Sequence, residues 1–187
     1  MTAFLMTIGL TIGIAGITFA QNSKKVPQTK IVMTINAPID SAFNYIVPVD
    51  LSHIFKKYKN LPAITKTDEQ EKWIKAGLTR TVYFEDGSTS KETLLTVVPH
   101  TSFSYRIENF TSQLRFLAKR VEGDWIFTDL GNGQTKIEWT YKIVPKNFFA
   151  RGLINLALLK NVKGLLINAL TILKTDLEKT DEKKGSR

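Results

Sequence analysis

Residues 30–36, KIVMTIN, alternate and are rich in β-branched side chains, which predicts a strand. The period then changes. Ile39, Ala42, Phe43 and Ile46 recur at i, i+3, i+4 and i+7, one stripe of a short helix that Pro38 and Asp40 open and Pro48 ends. LSHIFKKY reads as a second short helical piece. From Leu61 onward the texture is that of an antiparallel meander. Short strands are expected over 62–66 and 71–75, followed by a hairpin in LTRTVYFEDGSTSKETLLTVV with Asp86-Gly87 at its turn. SFSYRIENF, KRVEGDWIFTDL and QTKIEWTYKIV continue it, and the glycines of GDWIFTDLGNG are assigned to turns. Phe103, Tyr105 and Ile107 share a face, as do Val121, Trp125 and Phe127, and Ile137, Trp139, Tyr141 and Ile143, while Lys136, Glu138, Thr140 and Lys142 alternate with the last set. One sheet face is therefore apolar and aromatic, the other wet.

The chain closes on a long helical period without proline. Ile154, Leu158, Leu165, Ala169 and Ile172 fall near one line, with Leu159, Leu166, Leu170, Leu173 and Leu177 beside it and Lys160, Asn161, Lys163 and Lys174 on the other side. The longest uncharged run, residues 164–173, is too short to span a bilayer, so the helix is expected to pack on the greasy sheet face. Gly164 costs about 1 kcal/mol relative to Ala within a helix, which close approach to the sheet or space for a ligand would explain.

Composition narrows the chemistry. With 187 residues, 43% of them hydrophobic, the chain suits one domain plus an appendage. The absence of Cys excludes disulfides, thiolate metal sites and Cys nucleophiles. The formal charge of +9 lies wholly in residues 24–187, but Lys and Arg are scattered, with no basic stripe interleaved with stacking aromatics, so nucleic acid is not expected as a partner. Residues 1–23 carry no charged side chain and are long enough to cross a bilayer as a helix. They read either as a single-pass anchor, with Lys24 and Lys25 favouring a cytoplasmic domain, or as a signal peptide cut after Ala20 that exports it. A linker over 24–29, a domain over 30–180 and a polar tail over 181–187 complete the division.

The order of elements resembles the SRPBCC superfamily, also called START-like or Bet v 1-like. VMTINAPIDSAFNYIVPVD, DWIFTDLGNGQTKIEWTYKI and the C-terminal helix carry the resemblance. It implies an α+β helix-grip fold, a curved antiparallel sheet wrapped around a long C-terminal helix, with two short helices after the first strand propping that helix away from the sheet floor. It further implies a cavity for a small hydrophobic or amphipathic molecule, lipid or isoprenoid-like. Polyketide cyclases and lipid carriers share this architecture, so a cyclase- or dehydratase-like enzyme and a ligand-free interaction module stand as the alternatives.

No catalytic constellation, metal site or cofactor motif is evident, which favours a binder over an enzyme. His100 sits in a turn, and His53 has no carboxylate at helical spacing to orient it. Arg80 alternates in phase with Val82 and Phe84 and so falls on the apolar face, where it either snorkels to water at the strand end or anchors a polar ligand head. The cavity lining is expected from Arg80, Val82, Phe84, Tyr105, Trp125, Phe127, Trp139 and Tyr141 on the sheet, and from Leu158, Val162 and Leu165 on the helix.

Overall fold

The computed structural model describes residues 26–185. The expectations for residues 1–23 lie outside them. β1 (Gln28–Ile35) starts two residues before the expected strand, and α1 (Ile39–Ile46) follows, with Pro38 as its cap residue and Ala42, Phe43 and Ile46 buried as the stripe requires. α2 (Leu51–Ile54) is capped by Asp50, whose side chain accepts from the Ser52 amide. Then come β2 (Ile64–Thr67), β3 (Thr79–Phe84), β4 (Thr89–Val98) and β5 (Ser102–Glu108). A short α3 (Leu114–Leu117), which no sequence signal announced, precedes β6 (Ala118–Gly131) and β7 (Gln134–Pro145). Residues 71–75 form no strand. They are a loop that buries Trp73 at 3% exposure beneath Arg80.

The seven strands lie in the order β1-β7-β6-β5-β4-β3-β2, all antiparallel, so the first strand pairs with the last. Strand β2 lies at the opposite edge from β1, and the connection between them carries α1 and α2. Helix α1 packs against β6 and β7, and α2 against β2. This is the expected helix-grip arrangement.

The C-terminal helix is not continuous α. α4 (Phe148–Leu153), capped by the Asn147 side chain, gives way to a π-helical turn over Ile154–Leu158 before α5 (Leu159–Gly185). The widened turn carries one extra residue, which rotates everything after it by about 100° relative to a continuous α-helix. The buried stripe is accordingly Val162, Leu166, Ala169, Leu170, Leu173 and Leu177, while Leu158, Leu165 and Ile172 are half-buried. The expected polar tail is also helical in backbone as far as Gly185. By length and composition Phe148–Thr180 is apolar enough to cross a membrane, contrary to the reading from its uncharged run. Its buried leucines, packed on the sheet, serve as a core face.

Helix α5 is held firmly at its far end. Glu178 accepts from the Asn36 amide, Lys174 donates to the Thr34 carbonyl, and Asp176 receives both the Tyr45 hydroxyl at 3.0 Å and His53 Nε2 at 2.7 Å. His53 therefore does have an orienting carboxylate. It comes from a helix 123 residues away, which no spacing rule within α2 could reveal. Burial and the bond to Asp176 push the Tyr45 hydroxyl up to about 12.

Gly123 corrects another expectation, since it lies in mid-strand rather than in a turn. Its cross-strand partners are Tyr105 on one side and Tyr141 on the other. A Cβ at Gly123 would run into the Tyr105 ring. Tyr105 is 6% exposed and its hydroxyl accepts from the Trp139 indole at 3.1 Å, so it has little room to yield. Gly123→Ala should therefore destabilise the fold by about 1–3 kcal/mol in denaturant unfolding, as other overpacked cores do. The same substitution in a Tyr105→Val background should cost distinctly less, and equal costs in the two backgrounds would refute the steric cause.

Candidate ligand cavity

Between the sheet and the near half of the C-terminal helix the structure leaves a cavity of about 610 Å³. Its floor follows from strand alternation. Arg80, Val82 and Phe84 on β3, Ser90 and Glu92 on β4, and Phe103, Tyr105 and Ile107 on β5 all point inward. Trp125, Trp139 and Tyr141 continue it across β6 and β7. The row Phe103, Trp125, Trp139 lies in direct cross-strand register, and its rings stack, with centroids 5.3 Å apart for the first pair and 4.2 Å for the second. Leu158, Val162 and Leu165 form the roof, and Ile54 and Phe55 close one end.

Of the expected lining residues all but Phe127 meet here. Phe127 shares the face, but it lies farther along β6, where the Phe43 ring of α1 sits 5.2 Å from it and fills the space. Gly164 is also explained by something other than the sheet or a ligand: a Cβ there would meet the Tyr58 ring, from the loop after α2. His53, turned toward Asp176, is outside the lining, and His100 sits in its turn with φ 56°, 3.2 Å from Asp40. Sequence reasoning missed Ser90 and Glu92, whose polar character in a nominally apolar row looked like a wet strand face. It also missed α3, whose Leu114 and Leu117 join the rim.

Arg80 does not snorkel. Its side chain is 2% exposed and donates through Nε to Glu92 Oε2 at 2.7 Å and through Nη1 to Glu69 Oε1 at 3.0 Å, with the Trp73 ring stacked 4.2 Å away. One guanidinium thus faces two carboxylates. Burial, reinforced by the charge of Glu69 and only partly offset by Arg80, raises the Glu92 carboxyl above its ordinary value. Glu69 is one-quarter exposed. Burial raises it, but hydrogen bonds from Thr67 and its own backbone, with Arg80, outweigh burial and leave it below the ordinary value. The anchoring cation is therefore largely matched from within the protein.

Other polar atoms in the lining are not matched. Ser90 Oγ and the Trp125 indole nitrogen are buried without a hydrogen bond of good geometry, and the Tyr141 hydroxyl makes none among the described residues. Burial and then the nearby charge of Glu92 push the Tyr141 phenol well up, so it is a neutral donor across the physiological range. Burial likewise raises Tyr105. Unpaired polar groups in a dry site cost about 1–3 kcal/mol each, a cost that a ligand oxygen or a water would relieve. The cavity is thus apolar with a few donors, Trp125 and Tyr141 close together on β6 and β7 and Ser90 apart from them at the hairpin end of β4, an arrangement suited to orienting an amphipathic molecule.

The raised Glu92 carboxyl gives the fold a pH dependence of definite sign. The folded state holds this proton more tightly than the unfolded chain, so the Glu92 contribution to stability is present at acid pH and lost as pH rises through its folded value. Thermal unfolding of the wild type and Glu92→Gln from acid to neutral pH should show the wild type losing stability relative to the variant as pH increases. A difference that grows in the opposite direction would mean that Arg80 lowers Glu92.

A family model described as polyketide cyclase / dehydrase and lipid transport matches residues 27–178. No curated protein sequence matches the chain. Among solved structures, Ara h 8.0201 is 18% identical, covering 82% of this chain and 98% of its own with a TM-score of 0.63. XoxI from Bacillus cereus is 18% identical, covering 80% and 94% with a TM-score of 0.56. A protein from Chromobacterium violaceum is 14% identical, covering 81% and 98% with a TM-score of 0.57. At these identities the structural likeness speaks for the fold alone. The family match spans most of the chain, and together with the helix-grip fold it establishes that the protein belongs to the polyketide cyclase / dehydrase and lipid transport family of the SRPBCC superfamily.

Proposed function

We propose that the protein binds a small amphipathic molecule, lipid or isoprenoid-like, in the cavity between sheet and helix and carries it without covalent chemistry. The observation that supports this best is the combination of a space of about 610 Å³ with aromatic and aliphatic walls and unpaired donors at Ser90, Trp125 and Tyr141. An apolar body gains from leaving water on those walls, roughly 25 cal/mol per Å² buried. A carbonyl or hydroxyl that reaches either the neighbouring Trp125 and Tyr141 or the separate Ser90 satisfies a donor and fixes which end goes in. The family description, which names lipid transport, agrees with this reading.

A cyclase- or dehydratase-like enzyme is the second reading, and Glu92 is the observation in its favour. A carboxyl raised by burial, beside Arg80 and the Tyr141 phenol in one cavity, is an available acid for a carbonyl-bearing substrate. His53, which faces Asp176 outside the lining, has no part in it.

Organic extraction of the purified full chain, followed by mass spectrometry, should recover a hydrophobic compound with at least one oxygen function. Val162→Trp, which fills the roof with an indole, should abolish its recovery while leaving the far-ultraviolet circular dichroism unchanged. Ser90→Ala should weaken binding by about 1 kcal/mol, the size of one hydrogen bond. Equal recovery from wild type and a folded Val162→Trp variant would sink the cavity as the binding site. Turnover of the recovered compound that disappears in Glu92→Gln would favour the enzyme.

A further inference from the structure

The exposed hydrophobic surface of the domain is not evenly spread. Phe148 is 65% exposed, Phe149 79%, Leu153 53% and Leu156 85%, all within the first turns of the C-terminal helix, and Phe116 on the adjoining α3 is 59% exposed. Isolated exposed apolar residues are ordinary, but a clustered set marks an interaction surface. Three backbone contacts locate this set. Ala118 at the start of β6 pairs with Pro145 at the end of β7, and the Lys146 amide donates to the Leu117 carbonyl at 2.9 Å. The Ile143 amide donates to the Pro27 carbonyl at 2.8 Å. The third contact places the first described residues, 26 and 27, beside the end of β7, at the same end as α3 and α4. Gln113, Leu114, Leu117, Leu153 and Ala157 also line the cavity, which puts its rim on the same elements.

Along the two segments that carry the set the charge has one sign, while Asp86 of the β3–β4 turn lies near Arg115 at the margin. From Lys142 to Lys174 every charged residue is basic, with Lys146, Arg151 and Lys160 bracketing the exposed apolar positions, and Arg115 and Lys119 lie on either side of Phe116. A second copy of the chain meeting this face symmetrically would set these cations against one another, with no carboxylate in either segment to match them. A leaflet of anionic lipid matches both the apolar side chains and the charge.

We propose that this end of the domain docks on an anionic lipid bilayer, with Phe149, Leu153 and Leu156 in the interfacial layer, Lys146 and Lys160 against the headgroups, and the cavity rim turned toward the membrane. The docking is distinct from attachment through residues 1–23 and holds whatever the cavity carries. It gives the domain one orientation on the surface.

The absence of native Cys allows a direct test. The full chain with Leu156→Cys carries an environment-sensitive nitrobenzoxadiazole probe, and a second preparation carries it on Leu130→Cys. Leu130 is also an exposed apolar residue, at 47%, but at the opposite end of β6. With phosphatidylcholine vesicles containing phosphatidylglycerol, the probe at 156 should shift to the blue and be quenched by brominated acyl chains, while the probe at 130 should do neither. Lys146→Glu combined with Lys160→Glu should reduce the shift, and so should vesicles of phosphatidylcholine alone. The charge reversals leave residues 1–23 unchanged, so a shift at 156 that they do not reduce belongs to attachment through those residues and overturns the proposal. Identical behaviour at 156 and 130 overturns the proposal, as does an equal shift on neutral vesicles. A shift at 156 without vesicles, accompanied by dimerisation, assigns the face to a second copy and overturns it too.

Discussion

A single helix cannot cover the apolar face of a seven-stranded sheet. Strands about 4.8 Å apart make the sheet roughly 29 Å wide, while a helix with its side chains is about 10–12 Å across. The remaining width has to be removed by curvature or filled by something else. This chain fills it unevenly: Phe43 and the other buried residues of α1 close the region around Phe127, and the aromatic row of Phe103, Trp125 and Trp139 thickens the centre. The clamp of Asp176 and Glu178 holds the far half of α5 down on β1 and α1. The near half, beginning at the π turn, stays lifted, and the cavity is the width left uncovered.

Polar groups in such a cavity are costly, and the protein treats them in two ways. Arg80 is engaged by Glu92, Glu69 and the Trp73 ring, so its charge serves the fold first. Ser90, Trp125 and Tyr141 are left with bonding capacity toward the interior. A buried cation matched twice and several donors without a good hydrogen bond among the described residues describe a site that tolerates a neutral oxygen function better than a free anion. An added negative charge beside Glu92 and Glu69 would meet their repulsion.

The location of the rim links cavity and surface. The elements that open the cavity, α3 and the start of the C-terminal helix, are the ones with exposed phenylalanines and leucines, and β1 begins beside them. Under the proposed docking, an opening at that end would shorten the path that an apolar molecule travels through water.

Much of the fold was legible in the residues. Alternation placed Phe103, Tyr105, Trp139 and Tyr141 on one face, Asp86-Gly87 marked its hairpin, and the helical period named Leu166, Leu170, Leu173 and Leu177. These are local signals, set by the period-2 and period-3.6 geometry of the backbone itself. Most of the misread features depend on partners far away in sequence. Gly123 is small because Tyr105 crosses over it, and Gly164 because Tyr58 does. His53 finds its carboxylate on α5, and Arg80 is buried because β4 and the loop before β3 bring it Glu92 and Glu69. The π turn shifts the helix phase within a stretch that reads as one continuous helical period. Local geometry alone thus settled most of the apolar residues that face inward. Whether that interior is solid or hollow, and which of its polar groups are matched, depended on how far one helix end is held from the sheet, a distance set by contacts more than a hundred residues apart.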